Sequence, residues 1–344
     1  MHRKILITIT AIAAGIIACS KGADKLASIP FNKPSYFPEP VYNFETNPLT
    51  EKGFQLGLKL FYDPMISADN SISCASCHIQ TSAFSHHGHA FSHGIYNRTG
   101  TRNAPGIINL AWSTSFMQDG GIFNLDLQPI APITNPVEMD ETVEHVLEKL
   151  RGTSYYPALF KEAFGDEYIT TADFLKALSQ FMLNCISSNA KYDSVQRGEA
   201  QFTDAEQRGY TVFKQHCNSC HREPLFSDFS FRNNGVPINP SLNDIGRGAV
   251  TLNAADNYKF KVPTLRNLDY TPPYMHDGTF ATMDAVIAHY TILMRNTPNL
   301  DTVFIRPGND PGITLSAEEQ SNLKAFLKTL NDYSFVTDRR LSPQ

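Results

Sequence analysis

Cysteine is scarce in this chain. Six occur in 344 residues, and tryptophan occurs once, at Trp112. Paired cysteines in an exported protein can form disulfides. Here the histidine that directly follows each pair argues for a different use of the thiols. A basic stripe is also missing, and the formal net charge is -5, which excludes nucleic acid as an expected partner. Beyond the first residues no apolar run is long enough to span a bilayer. Strand signals are weak and short, which leaves helix as the main regular structure.

The start of the chain reads as a targeting segment. Arg3 and Lys4 precede an apolar run from Ile5 to Ala18, too short to span and fitting an export signal. Ile16-Ile17-Ala18-Cys19 is similar to a bacterial lipobox, with cleavage before Cys19 and acyl chains attached to it. Such chains hold a protein on a membrane by about 0.8 kcal/mol per buried methylene. The other reading is a plain secretory signal with an incidental cysteine. The expectation is a signal peptide over residues 1–18 and a periplasmic protein anchored at Cys19, facing the outer membrane.

Residues 19–47 are expected to be a lipid-anchored tether. Pro30, Pro34, Pro38 and Pro40 favour extended chain there. The remainder suits two domains of roughly 100–200 residues, over 48–195 and 196–344. Helices are predicted over 51–62, 142–150, 171–186, 203–215 and 316–330. Thr203 with Glu206, and Ser316 with Glu319, are capping boxes. The stretches 79–135 and 222–275 are rich in Gly, Pro and Asn but keep recurring apolar residues, so they read as loops wrapped around a cofactor.

That cofactor is named by two motifs, Cys74-Ala-Ser-Cys77-His78 and Cys217-Asn-Ser-Cys220-His221. CxxCH is the attachment signature of a c-type haem. Two thiols two residues apart reach the two vinyl groups on one porphyrin edge, and the next histidine is placed under the iron. His78 and His221 are therefore the expected proximal ligands of two covalent haems. Cys185 remains, inside the apolar run from Phe174 to Ile186, and reads as a buried inert thiol.

Around these motifs stand Thr101-Arg-Asn-Ala-Pro105, Asn135-Pro-Val-Glu-Met139, Phe260-Lys-Val-Pro-Thr-Leu-Arg-Asn267 and Pro273-Tyr-Met-His-Asp-Gly278. Together they resemble the bacterial dihaem cytochrome c peroxidase family, including its MauG-like branch, over roughly residues 48–340. The resemblance implies a mainly α fold of two cytochrome c-like helical domains, each holding one covalent c-type haem. It implies a peroxide-reacting first haem, an electron-transferring second haem and a calcium ion between them. Glu138 falls on the family's distal carboxylate, Gln128 on its distal glutamine, and Pro132 in the same pocket. Cleaving a peroxide needs a group that takes a proton from one oxygen and delivers it to the other, and Glu138 suits that work. A carboxylate just ahead of a helix can also simply favour the helix start. Asn103 by its side chain, and Thr271 and Pro273 by their carbonyls, match the family's calcium ligands.

Three positions depart from the peroxidases of the family. The distal-histidine position is Ile95, with His93 two residues away and His86, His87 and His89 before it. These histidines read as polar loop residues; if none binds iron, the first haem is open from the start. The second haem's sixth-ligand position holds Tyr290, with Met275, Met283, Met294 and His289 as competitors. Tyrosinate favours oxidised iron, whereas Met raises the potential. Finally, the family's inter-haem tryptophan is Gln118, which cannot relay oxidising equivalents.

Three functions follow from these readings. The first is a peroxidase reducing hydrogen peroxide with electrons from a small cytochrome c or cupredoxin. The second is a MauG-like oxidase that acts on a protein or organic substrate through high-valent iron. The third is a dihaem electron carrier, against which Glu138 and Gln128 argue. The resemblance also implies a homodimer.

Overall fold

The computed structural model describes residues 28–343. The expected signal segment, Cys19 and residues 20–27 lie outside them. Twelve α-helices occur among the described residues, besides short 3-10 turns and one π-helical turn: α1 Glu51–Tyr62, α2 Cys74–Cys77, α3 Ile130–Thr134, α4 Val143–Arg151, α5 Tyr156–Phe164, α6 Thr171–Leu183, α7 Lys191–Gln196, α8 Asp204–His216, α9 Arg247–Thr251, α10 Met283–Ala288, α11 Ala317–Lys328 and α12 Tyr333–Val336. Strand is limited to two short antiparallel ladders, β1 Phe231–Arg232 with β2 Phe260–Lys261, and β3 Ile305–Arg306 with β4 Asp310–Pro311. Helix starts obey their caps. The side chains of Thr50, Thr203 and Ser316 accept from the backbone N–H three residues on, and the latter two form the reciprocal boxes with Glu206 and Glu319.

The two halves share one packing device. Each helix leading to a CxxCH motif crosses a later helix at a glycine. A Cβ on Gly57 of α1 would lie 2.0 Å from the Ala177 carbonyl oxygen on α6. A Cβ on Gly209 of α8 would lie 1.9 Å from the Asn322 carbonyl oxygen on α11. Only glycine permits such backbone contact. Phe54, Leu58 and Phe61 of α1 then bury with Phe174, Leu178 and Phe181 of α6. Phe213 of α8 buries with Leu323 and Phe326 of α11. Cys185 is fully buried, with its Sγ 3.6 Å from the Phe181 carbonyl.

Three features differ from expectation. Residues 28–47 run as irregular chain with several turns, and they form a strap and not a free tether. Ile29 N–H donates to the Leu49 carbonyl, and Val41 and Tyr42 donate to that of Ala111. Phe37 is 3% exposed and its ring stands 5.0 Å from that of Trp112, whose Nε1 donates to the Pro38 carbonyl at 2.8 Å. Burying one such phenylalanine contributes about 1.5–3 kcal/mol, enough to hold a segment whose prolines already restrict it. Second, the core divides differently from a cut at 195: Tyr192 joins the second core, while Phe335, Val336 and Leu341 return to the first. Third, the predicted helix 171–186 stops at Leu183, where Asn184 caps it and Cys185 turns inward.

Candidate active site and haem-attachment sites

The first CxxCH motif is itself a helical turn. α2 carries Cys74 and Cys77, and the His78 N–H donates to the Cys74 carbonyl at 2.9 Å. His78 Nδ1 lies 2.7 Å from the Phe84 carbonyl, with the Pro105 carbonyl also beside the ring. A carbonyl can only accept, so Nδ1 carries the proton and Nε2 is the lone pair. Burial pushes the imidazole pKa down, which keeps that lone pair free. His221 is held in the same way: its Nδ1 lies 3.2 Å from the Phe226 carbonyl and 3.1 Å from that of Pro263. So Pro105 and Pro263, each inside one of the strings singled out in the sequence, orient one histidine apiece. This internal correspondence is readable in the sequence and was missed there.

Beside His78 opens a cavity. It is lined by Cys74, Cys77 and His78, by Gln128, Pro132 and Glu138, and by the apolar Phe61, Ile107, Leu178 and Met182. Both thiols are free, and burial with the neighbouring Cys77 pushes Cys74 up to about 12. Two protonated thiols, a free Nε2 lone pair and a largely apolar cavity fit a covalently attached haem with His78 as ligand.

The distal residues converge on this cavity. The Glu138 Oε1 accepts from Asn135 Nδ2 at 2.8 Å. Burial raises its pKa above the ordinary carboxyl value, and the Asn135 donor opposes the rise. Glu138 does not serve the start of α4: Thr142 caps that helix and Glu144 is its first-turn acid. The Gln128 amide lies 3.7 Å from the Met117 sulphur. Ile95 is fully buried, and its N–H donates to the Glu138 carbonyl at 2.8 Å. Gly94 allows this approach, since a Cβ there would be 2.2 Å from the Val137 oxygen. None of His86, His87, His89 and His93 lines the cavity.

At the second site, a feature invisible in the sequence sets the candidate ligand. α10 passes into a π-helical turn, His289–Leu293, that carries Tyr290. Such turns insert one extra residue and recur at functional sites. The Tyr290 hydroxyl receives a hydrogen bond from Asn234 Nδ2 at 3.0 Å, and the same amide lies 3.3 Å from the Met275 sulphur. Burial pushes the phenol up to about 12; the Asn234 donor opposes this, and nearby Cys217 and Cys220 add to it. Met275 shares that amide, and the remaining candidates differ in their surroundings. Met294 packs beside Gly235 and Met283 packs on the second core, whereas His289, whose Nε2 lies 2.9 Å from the Asn234 carbonyl, keeps a buried Nδ1 without a partner and so stays a competitor beside Tyr290.

Between the halves, Asn103 is buried. Its N–H donates to the His276 carbonyl at 2.7 Å and its Nδ2 to that of Ala90 at 2.9 Å. His276 is three residues past Pro273, on the segment that Thr271 begins. Gln118, where the family usually has tryptophan, donates through Nε2 to the Asn103 carbonyl within the first half and reaches the His276 carbonyl of the second at 3.4 Å. Trp112 stands elsewhere, under the strap. Lys261, also missed in the sequence, donates through Nζ to the Ser115 carbonyl at 2.7 Å and through its N–H to that of Gln118 at 2.7 Å. Burial lowers its pKa to about 8.

Residues 51–201 match the di-haem cytochrome c peroxidase family. The methylamine utilization protein MauG of Methylorubrum extorquens is 35% identical over 312 residues, spanning 87% of this chain and 83% of its own. The cytochrome c551 peroxidase of Nitrosomonas europaea is 32% identical over 289 residues, spanning 80% and 79%. The crystal structure of a MauG-like protein associated with microbial copper homeostasis superposes with a TM-score of 0.82 at 32% identity, spanning 92% of this chain and 99% of that one. With two histidine-bearing CxxCH sites on a mainly helical frame, this chain belongs to the di-haem cytochrome c peroxidase family, in its MauG-like branch, and is a cytochrome-c peroxidase-type oxidoreductase of two c-type haems.

Proposed function

We propose that the chain is a periplasmic peroxidase that reduces hydrogen peroxide to water at the cavity beside His78. The observation that carries this reading is the placement of Glu138 and Gln128 on one cavity with His78. The haem, when bound, supplies the iron that accepts peroxide oxygen and passes electrons. The residues around it handle protons. Glu138, as carboxylate, removes a proton from one peroxide oxygen and returns it to the other, while the Asn135 amide holds its Oε1 in place. Gln128 orients the peroxide with its amide, and the apolar walls exclude competing water. Electrons come from a small cytochrome c or cupredoxin to the haem on His221.

Tyr290 is the proposed sixth ligand at that second haem. Asn234 supports it, because a donor at 3.0 Å favours the anionic phenolate. Asn103, Thr271 and Pro273 are proposed to hold calcium, a cation that takes carbonyl and amide oxygens. Asn103 already contacts the segment that follows Pro273. We further propose that Cys19 carries the lipid anchor and that the protein forms a homodimer.

A second reading, a MauG-like oxidase of a protein or organic substrate, is favoured by Ile95, whose side chain offers no ligand atom. Peroxide titration of the fully ferric holoprotein, followed by absorption and EPR, tests both. Reaction before any reduction, with loss of both ferric signals at one equivalent, favours the oxidase. Reaction only after one haem is reduced means a peroxidase with a hidden distal ligand. A protein that shows only low-spin haem and never reacts would refute both.

A further inference from the structure

The loop before Asn103 gathers four histidines outside the haem cavity. His86 Nε2 and His89 Nε2 are 3.4 Å apart. The His93 ring centroid is 4.9 Å from that of His89, and that of His87 is 6.4 Å from His86. His86 lies beneath the others at 9% exposure, while His87, His89 and His93 face solvent.

The protons in this cluster do not balance. His89 Nδ1 lies 2.7 Å from the Phe91 carbonyl, so it carries the proton and Nε2 is a lone pair. His86 Nδ1 is buried with no hydrogen-bond partner. If His86 is protonated on Nε2, its Nδ1 is an unmatched buried acceptor. If it is protonated on Nδ1, that N–H is unmatched and two lone pairs face each other across 3.4 Å. Either state leaves a buried polar atom unpaired, at a cost of about 1–3 kcal/mol.

A cation between the two Nε2 atoms turns the lone-pair repulsion of the second state into two bonds, which offset the cost of the still unmatched Nδ1–H of His86. Tetrahedral coordination with metal–nitrogen bonds of about 2.0–2.1 Å places two ligand nitrogens about 3.3–3.4 Å apart. The Phe91 carbonyl on His89 Nδ1 is the kind of contact that fixes the tautomer of a metal-bound histidine. The loop is also held in place. Asn103 Nδ2 donates to the Ala90 carbonyl at 2.9 Å, His93 pairs with Thr99 in a β-bridge, and a Cβ on Gly278 would lie 2.7 Å from Ala90 Cα. Among the described residues no three metal-binding side chains converge on one point. A third ligand would have to come from exposed His93, whose ring stands 4.9 Å from that of His89, by rotation about its side-chain bonds, with water in the fourth position.

We propose that His86, His89 and His93 form a surface site for an imidazole-preferring divalent transition metal, Zn²⁺ or Cu²⁺. The site contains no thiolate and no carboxylate, so hard cations such as calcium are excluded. This proposal is independent of the reaction assigned to the haem cavity.

The test uses the intact holoprotein, titrated with Zn²⁺ in competition with a chromophoric chelator. One equivalent should bind, and His86→Ala and His89→Ala should each weaken it at least about tenfold. His93→Ala should weaken it measurably, whereas His145→Ala, on α4, should leave it unchanged. Cu²⁺ on the wild-type protein should give an EPR spectrum split by at least two imidazole nitrogens, a readout that survives if the His86 variant does not fold. Absence of stoichiometric binding, affinity unchanged in the His89 variant, or a Cu²⁺ spectrum without nitrogen splitting would each overturn the site.

Discussion

Replacing Glu138 by glutamine separates proton transfer from every other property of the first site. The Asn135 Nδ2 donor meets Oε1 at 2.8 Å, and glutamine keeps an oxygen there. The cavity volume and its apolar walls therefore stay as they are. What disappears is the group that can hold a proton. General acid–base catalysis is worth about 10²–10⁴-fold, or about 2.7–5.4 kcal/mol of barrier. The predicted outcome is a loss of that size in the second-order rate of peroxide reaction, measured by stopped-flow absorption on the holoprotein. The pH profile gives a second check. Burial raises the Glu138 pKa, so the working carboxylate is lost as pH falls through a value above the ordinary carboxyl range of about 4.3. Wild-type rates should fall along an acid limb there, and the variant should lack that limb. The sign for stability is opposite: a raised folded pKa contributes stability that is present below the unfolded pKa and is lost as pH rises through the folded one. A loss under about tenfold with the acid limb intact would refute the role of Glu138.

Three further predictions follow from contacts elsewhere. Gly209→Val should destabilise the second half by about 3 kcal/mol or more, because the new Cβ would lie 1.9 Å from the Asn322 carbonyl oxygen; an unchanged melting temperature of the holoprotein would contradict the helix crossing. Asp193→Asn should cost about 3–5 kcal/mol in denaturant unfolding, since it strands the Arg266 guanidinium, which meets it at 2.8 Å with both side chains fully buried. Asn234→Leu removes the donor that favours the Tyr290 phenolate and also frees the Met275 sulphur. Its second-haem spectrum should change toward methionine ligation, or its tyrosinate transition should move to higher pH; a spectrum identical to wild type across pH would show that Tyr290 is not the ligand.

Much of the frame was legible because its signals are local. Capping boxes at Thr203 and Ser316 need only four consecutive residues, and both helices begin there. The CxxCH motifs carry their own geometry, as α2 shows by being one helical turn. The strap was misread as a tether because proline content reports backbone stiffness and says nothing of what Phe31 and Phe37 will meet. α5 carried no distinct signal, although Pro157 sits in its first turn. Asn234 was missed because an asparagine beside a glycine reads as a turn, and nothing in Asn233-Asn234-Gly235 shows that Tyr290, 56 residues on, will share its amide.

The sequence alone determined the class of this protein: two haem-attachment motifs, each behind a helix, on a chain poor in strand. Those features depend on neighbours a few residues apart, where bond geometry and helical pitch leave little freedom. Tertiary structure decided the chemistry. It turned Glu138 away from the helix behind it and into a cavity with His78. It used a π-helical turn to bring Tyr290 to Asn234. These are contacts between residues distant in the chain, and they form only when the cores around Phe181 and Phe326 close and bring those segments together.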